Sequence, residues 1–287
     1  MVVEFVYALI FLALLVGTYT DIKTREVPDW LNYAMIAAGL GIHGVQSLIQ
    51  QDWHPIFFSL LGLGMMYGLA LLMFQTGQWG GGDSKMLMGL GALIGIEWTF
   101  RSMFLGFLVN IMIFGSIYGL AWTMYLMFRN WKKFYKQYIT MQHQISFKKA
   151  RKIFSVFAVV FFLFSFFIRD QTIKLFLMLF SVMVIITYYL WLSIKAVELS
   201  CMEKYVEPER LTEGDWIVKE VKVGGKYICG PKDLGISMGQ IHRLIKLKQQ
   251  GKIKKILIKE GIPFVPSFLM AFAASVFFGD IFIWLGI

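Results

Sequence analysis

Eight apolar stretches, at residues 3–19, 31–49, 56–74, 84–97, 102–128, 153–168, 175–194 and 263–287, recur along a chain that is 57% hydrophobic and only 16% charged. A hydrocarbon core about 30 Å thick is crossed by a helix of about 20 apolar residues, and non-helical backbone survives at that depth only where protein or water surrounds it. The pattern predicts an all-α polytopic integral membrane protein of about eight transmembrane helices, not a soluble globule of this length. The first stretch has acidic Glu4 where a signal peptide carries a basic region, and it shows no small-residue cleavage pattern, so it is expected to be a mature helix.

Orientation follows from Lys and Arg, which concentrate in cytoplasmic loops. Between the fifth and sixth stretches lie Arg129, Lys132, Lys133, Lys136, Lys148, Lys149, Arg151 and Lys152 with no acidic residue among them. Anchoring that loop inside places 21–29, 75–85, 129–152 and 195–262 in the cytoplasm, leaves Arg101, Arg169 and Lys174 outside, and puts both termini on the external face of the cell membrane. The net charge of +10 is then a property of the inner membrane surface, where anionic headgroups of the lipid bilayer are the partner. No nucleic-acid partner is expected.

Four regions follow: a helical core at 1–128, a basic loop with two further helices at 129–194, a small α/β cytoplasmic domain at 195–262, and a last membrane helix at 263–287. The third holds fourteen Lys or Arg and nine acidic residues in 68 positions. Within it "DWIVKEVKV" alternates like a strand, Gly224-Gly225 turns the chain into "KYIC", Ser237 and Gln240 read as the start of a helix that Gly251 stops, and "KIKKILI" reads as a further strand. Pro263 and Pro266 suggest a rigid, non-helical entrance to the last helix. Glycine pairs four apart, Gly64/Gly68, Gly91/Gly95 and Gly115/Gly119, are expected to let helices three to five approach closely. The two cysteines, Cys201 and Cys229, form no CxxC pair, and no zinc-ligand spacing occurs, so neither a metal nor another cofactor is expected. His43, His54, His143 and His242 are isolated in sequence.

Charged residues at the ends of membrane helices narrow the chemistry. Asp21 closes the first stretch in "GTYTDIKTREVPDW" and Asp83 opens the fourth in "GGGDSK", both at the cytoplasmic end by the topology above. The fourth stretch has 14 residues from Ser84 to Glu97, about 21 Å of helix, short for a bilayer. Gly80 to Asp83 are therefore expected to be irregular backbone dipping below the interface, with the glycines supplying unusual dihedrals or close approach. Two carboxyl groups within hydrogen-bond reach do not both ionise cheaply and hold one proton between them at some working pH, the arrangement with which aspartic proteases activate water and polarise a carbonyl.

Taken singly these residues also have plainer readings. Asp21 serves as an interfacial charge or cap, Gly80 to Gly82 as a flexible loop, and Asp83 as a helix cap. Lys85 reads as snorkelling to phosphates, Asp29 as a cap for the second helix, and Lys23 and Arg25 as topology signals.

In combination "GGGDSK" resembles the Gly-x-Gly-Asp motif of intramembrane aspartyl proteases, with Gly80, Gly82 and Asp83 in the defined positions. "DIKTREVPDWLN" resembles the aspartate-bearing loop after the first helix of type IV prepilin and archaeal preflagellin peptidases, and "EGIPFVPSFLMAF" is similar to the start of the last helix in archaeal members, which also carry a small cytoplasmic domain before it. The resemblance implies removal of a short basic leader from type IV pilin-like or archaeal flagellin precursors, with Asp21 and Asp83 as the catalytic dyad and Gly80 and Gly82 as the active-site loop. Bacterial relatives that methylate the new amino terminus carry a cysteine tetrad, which this chain lacks. Residues 129–194 depart from the shortest members. Glu26 and Asp29 are candidates for pairing with the basic leader. Two other functions compete: an ion- or proton-coupled transporter using Asp21 and Asp83 as ion sites, and a scaffold whose 195–262 domain recruits a pilus-assembly partner.

Overall fold

The fold is that of a computed structural model describing residues 2–96 and 102–279. Glu97, expected to end the fourth span, Arg101, expected outside, and residues 280–287 of the last span lie outside the described residues. Four long helices come first in the chain's first half: α1 (Val2–Thr24), α2 (Asp29–Gln50), α3 (His54–Gln75) and, after the short α4 (Gly81–Ile94), α5 (Met103–Arg129). Then come α6 (Trp131–His143), α7 (Ile145–Ser165) and α8 (Gln171–Val197), which runs into a π-helical turn at Glu198–Met202. The strands β1 (Glu203–Val206), β2 (Trp216–Ile217), β3 (Val221–Val223) and β4 (Lys226–Cys229) precede α9 (Met238–Gln249), β5 (Ile256–Lys259) and α10 (Val265–Phe278).

Each apolar stretch centres on a helix over its described residues. Among those residues four segments, Val2–Thr24, His54–Gln75, Met103–Arg129 and Gln171–Met202, are long and apolar enough to cross a bilayer. Their outward faces carry large apolar side chains such as Leu12, Leu72, Met112 and Phe176, all more than half exposed, which water would penalise and lipid does not.

The chain forms two compact units, one drawing on residues up to Ala121 and from Val206 onward, the other on Trp122–Tyr205. In the first, α4 is the buried centre: Ser84, Met86, Leu87 and Gly89 to Leu93 are all shielded. Glycines bring its neighbours to backbone contact. A methyl added at Gly39 of α2 would lie 2.6 Å from the Ala92 carbonyl carbon, and one at Gly62 of α3 would collide with the Gly91 carbonyl oxygen. Gly62 therefore meets Gly91 across α3 and α4, whereas nothing stands within 4 Å of a methyl at Gly64 or Gly68, so the close approach uses a different glycine from the expected pair.

The end of α4 explains how so short a helix is tolerated. Its last carbonyls would be orphaned inside the bundle. Ser59 Oγ donates to the Ala92 carbonyl at 2.6 Å, His43 Nε2 hydrogen-bonds the Leu93 carbonyl at 3.0 Å, and Ile96 N–H donates to the Phe58 carbonyl at 3.1 Å. His43, isolated in sequence, is thus a cap for another helix. Elsewhere Tyr7 and Phe272 meet edge to face between α1 and α10, and Asn110 of α5 donates to Ser275 Oγ at 2.8 Å and to the Gly279 carbonyl at 3.0 Å.

The polar part of this unit has its own core of Leu211, Ile217, Cys229, Ile236, Ile241, Leu244, Ile256 and Ile258. β2 pairs antiparallel with β5, Trp216 opposite Lys259 and Ile217 opposite Ile258. β3 and β4 form a hairpin whose Gly224 and Gly225 both have positive φ, 58° and 77°, as a two-residue turn of this hand requires. Ser237 and Gln240 form the expected capping box of α9, and Gly251 (φ 71°) follows its end. The single strand expected over "DWIVKEVKV" is instead β2 and β3: Val218 N–H still bonds the Leu257 carbonyl beside β5, after which the chain leaves to pair with β4. Pro266 sits in the first turn of α10, so the non-helical entrance holds for Pro263 alone.

The second unit corrects the basic loop. Residues 129–152 contain neither Pro nor Gly, and they are helical as α6 and the start of α7. Phe134 and Met141, seven apart, bury one face of α6 with Tyr188, Leu192, Ala196 and Val197 of α8, leaving Lys132, Lys133 and Lys136 exposed. Residues 195–202, expected in the soluble domain, continue α8 and its π turn.

Candidate active site

α1 extends past its apolar run because Thr20 to Thr24 keep the helical hydrogen-bond pattern, and it stops at Arg25, whose φ of 63° lets its N–H close back on the Asp21 carbonyl at 2.9 Å. That places Asp21 in the last turn, 4% exposed. Its Oδ2 accepts the Val265 N–H at 3.0 Å, a donor left free by the start of α10. The Arg25 guanidinium and the Tyr118 ring of α5 lie within electrostatic range of the same carboxyl group.

Asp83 stands in the first turn of α4, where the helix dipole favours an anion. Its Oδ2 accepts the Gly80 N–H at 3.2 Å, so the capping geometry is present. Asp83 also lies within electrostatic range of Asp21, so the two carboxyl groups, 62 positions apart, come to one end of the helical core.

The glycines act through space and not through dihedrals. Gly80 is extended and Gly81 onward is helical, so the irregular backbone expected over Gly80 to Asp83 lies earlier, at Gly77 with φ 69°. A methyl at Gly82 would stand 3.2 Å from both Cβ and N of Val27, and one at Gly80 would stand 3.4 Å from Asp83 Oδ2. Gly82 thus lets the loop after Asp21 lie against the turn that carries Asp83. Asn32, fully buried on α2, donates from Nδ2 to the Gly82 carbonyl at 3.4 Å, while its Oδ1 has no hydrogen-bond partner among the described residues. Trp79, which precedes Gly80, packs 5.3 Å from the Phe264 ring and 5.4 Å from the Phe268 ring, so aromatic rings join the loop before Asp83 to the start of α10.

Several plainer readings change. Lys85 pairs with Asp29 Oδ1 at 2.6 Å and lies over the Tyr33 ring at 5.6 Å, instead of reaching for phosphate. Asp29 makes no cap for α2, whose N-cap is Pro28; its carboxylate is exposed and engaged by Lys85. Glu26 is exposed on the loop between α1 and α2. Arg25 is a neighbour of Asp21 and lies 4.0 Å from Glu260, a position its reading as a topology signal did not capture. Asn32 and the Val265 N–H were also missed. A polar residue inside the 31–49 apolar run was a usable signal for Asn32; a backbone donor leaves none. Among the described residues no three His, Cys, Asp or Glu side chains converge as a metal site.

Two carboxyl groups within electrostatic range of one another, each accepting from a backbone donor, are of the type that can move protons in acid–base chemistry. No solved structure matches the chain. Over 83 residues it is 39% identical to a preflagellin peptidase of Methanocaldococcus jannaschii, covering 29% of this chain and 35% of that protein. It is 38% identical over 88 residues to a preflagellin peptidase of Methanococcus voltae, covering 31% and 37%, and 29% identical over 89 residues to the prepilin peptidase EppA of Methanothermobacter thermautotrophicus, covering 30% and 23%. The chain thus spans a little over a third of the length of these preflagellin peptidases and under a quarter of EppA. Residues 8–128, which hold both aspartates and the glycine loop, match the type IV leader peptidase family.

Proposed function

We propose that the protein is a membrane-embedded aspartyl endopeptidase that removes the basic leader of type IV pilin-like or archaeal flagellin precursors, with Asp21 and Asp83 as its dyad. The observation that carries this reading is that the two carboxyl groups lie within electrostatic range of one another at one end of the core, inside the segment that matches a leader peptidase family. One carboxylate takes a proton from water as the water oxygen attacks the scissile carbonyl carbon; the other, protonated, donates to the carbonyl oxygen. Collapse of the resulting diol breaks the C–N bond, and the departing amine takes up a proton. Gly80 and Gly82 serve this pair by letting the Asp83 turn pack against the Val27 loop, and exposed Glu26 on that loop is the candidate partner for a basic leader; Asp29 would contribute only if the leader displaced Lys85.

Eight helices occupy the bilayer in this proposal, with 21–29, 75–85, 129–152 and 195–262 at the cytoplasmic face and both termini external, so cleavage occurs on the cytoplasmic side. The test is co-expression of a basic-leader precursor with Asp21→Asn or Asp83→Asn in membranes. Each substitution keeps the side-chain shape and removes the titrating group. Loss of the shortened product with normal membrane insertion is expected; full cleavage by either variant would dismiss the dyad.

A further inference from the structure

The polar segment between β2 and β5 touches both aspartate-bearing loops. β5 ends at Lys259 and α10 begins at Val265, and along this short connection Glu260 Oε1 lies 4.0 Å from Arg25 Nε, on the loop that leaves Asp21. The same connection delivers the Val265 N–H to Asp21, and it places Phe264 against Trp79, which immediately precedes Gly80. On the other strand of the ladder, the Trp216 indole covers Gly77: a methyl there would stand 3.2 Å from Trp216 Cη2. Gly77 is where positive φ turns the chain toward Gly80 and Asp83. Trp216 and Lys259 face one another across the β2–β5 pair. The side chain on Gly77 and the residue beside Glu260 therefore belong to one ladder, and a shift of that ladder moves both loops together.

We propose that the β2–β5 ladder is a positioning element for cleavage, with Glu260 acting through Arg25 on the Asp21 loop and Trp216 acting through Gly77 on the Asp83 loop. The proposal rests on the peptidase reading and gives the polar segment a role within it. Charge argues against the alternative that this segment captures the leader: residues 206–262 hold twelve Lys or Arg against seven Asp or Glu, a repulsive balance for a basic peptide. Geometry favours the brace. Asp21 and Asp83 sit on different helices joined to different loops, and a misplacement of about 1 Å can cost about a hundredfold in rate.

The test uses the full chain in lipid nanodiscs with a basic-leader precursor. Trp216→Ala and Glu260→Gln are each expected to lower kcat, by about tenfold and about threefold, with KM unchanged within about twofold. Trp216→Phe and Glu260→Asp, which keep the ring and the charge, should restore most of the loss. Amide hydrogen exchange should rise at 25–27 in Glu260→Gln and at 77–82 in Trp216→Ala, while α9 keeps its protection. A raised KM with kcat preserved would make the segment a leader receptor and overturn the proposal, as would unchanged kcat and exchange in both variants. If Trp216→Ala loses α9 protection, Trp216→Phe decides: wild-type kcat with loosened 77–82 amides overturns the proposal, and coupled recovery of both supports it. A wild-type chain that cleaves no precursor removes the peptidase reading, and the exchange measurements still judge whether the ladder holds the loops.

Discussion

Gly39→Ala isolates the contact that holds α2 against α4. The added methyl would meet the Ala92 carbonyl carbon at 2.6 Å and its oxygen and the Leu93 nitrogen at 2.8 Å, all backbone atoms that no rotamer change can move. Restoring ordinary contact requires α2 and α4 to separate by about 0.8 Å. Overpacking of this kind costs about 1–3 kcal/mol, partly offset by the roughly 1 kcal/mol by which Ala outranks Gly inside a helix. Gly64→Ala gains the same propensity at a position with nothing within 4 Å, so it is the control. Because α2 carries Asn32 and follows the Val27 loop, the separation should also spoil the site: about a tenfold or greater fall in kcat is expected for Gly39→Ala and none for Gly64→Ala. Denaturant unfolding of the purified protein in one detergent, paired with precursor cleavage in nanodiscs, measures both effects. Gly39→Ala as stable and active as the parent would refute the packing of α2 on α4.

Gly82→Ala presses a methyl to 3.2 Å from Val27 and should lower kcat severalfold with little loss of stability, since the strain falls on a loop; comparison of cleavage rate with the unfolding midpoint checks it. Cys229 is fully buried and its thiol is pushed up to about 11 by that burial, so at pH 8 only about one molecule in a thousand presents a thiolate. Maleimide should therefore label Cys229 only after denaturant opens the 206–262 core, and rapid labelling of the folded protein would contradict that core. Lys248 pairs with Glu207 at 3.0 Å and Glu209 at 2.7 Å and holds both carboxyl groups below their ordinary range. Their stabilisation is present above the ordinary glutamate pKa near 4.5 and fades as pH falls through the lowered folded values. Lys248→Met should flatten that acid limb of α9 hydrogen-exchange protection, and an unchanged limb would show the pairs to be inert.

That Asp21 and Asp83 come to one end of the core was legible because a carboxylate bordering an apolar run is costly and the Gly-x-Gly-Asp string constrains its surroundings. The local signals of the polar segment were legible for the same reason: Ser237 with Gln240, Gly224 with Gly225, and Gly251 act on neighbours a few residues away. What escaped depends on contacts between distant segments. Gly-x-x-x-Gly spacing marks a smooth helix face but not what lies against it, so Gly64 and Gly68 stand out in the sequence although nothing packs on them, while Gly62, which meets Gly91, does not. Arg25 satisfies the topology rule by its charge alone, and that reading conceals its place beside Asp21 and Glu260. The Lys85 and Asp29 pairing spans 56 positions and needed the α2–α4 register to appear.

The same distinction explains the depth of Asp83. A helix of 14 residues inside a bundle must satisfy its terminal carbonyls with side chains, and here Ser59 and His43 do so from two different helices. Those two hydrogen bonds fix where α4 ends, and Gly62 and Gly39 fix how close it lies. With its end and its flanks set, the first turn of α4 has little freedom along the axis, and Asp83 stands where the loop after Asp21 can reach it. The apolar core therefore does not merely surround the acidic pair; by holding a short helix at one height, it sets the separation on which any shared proton depends.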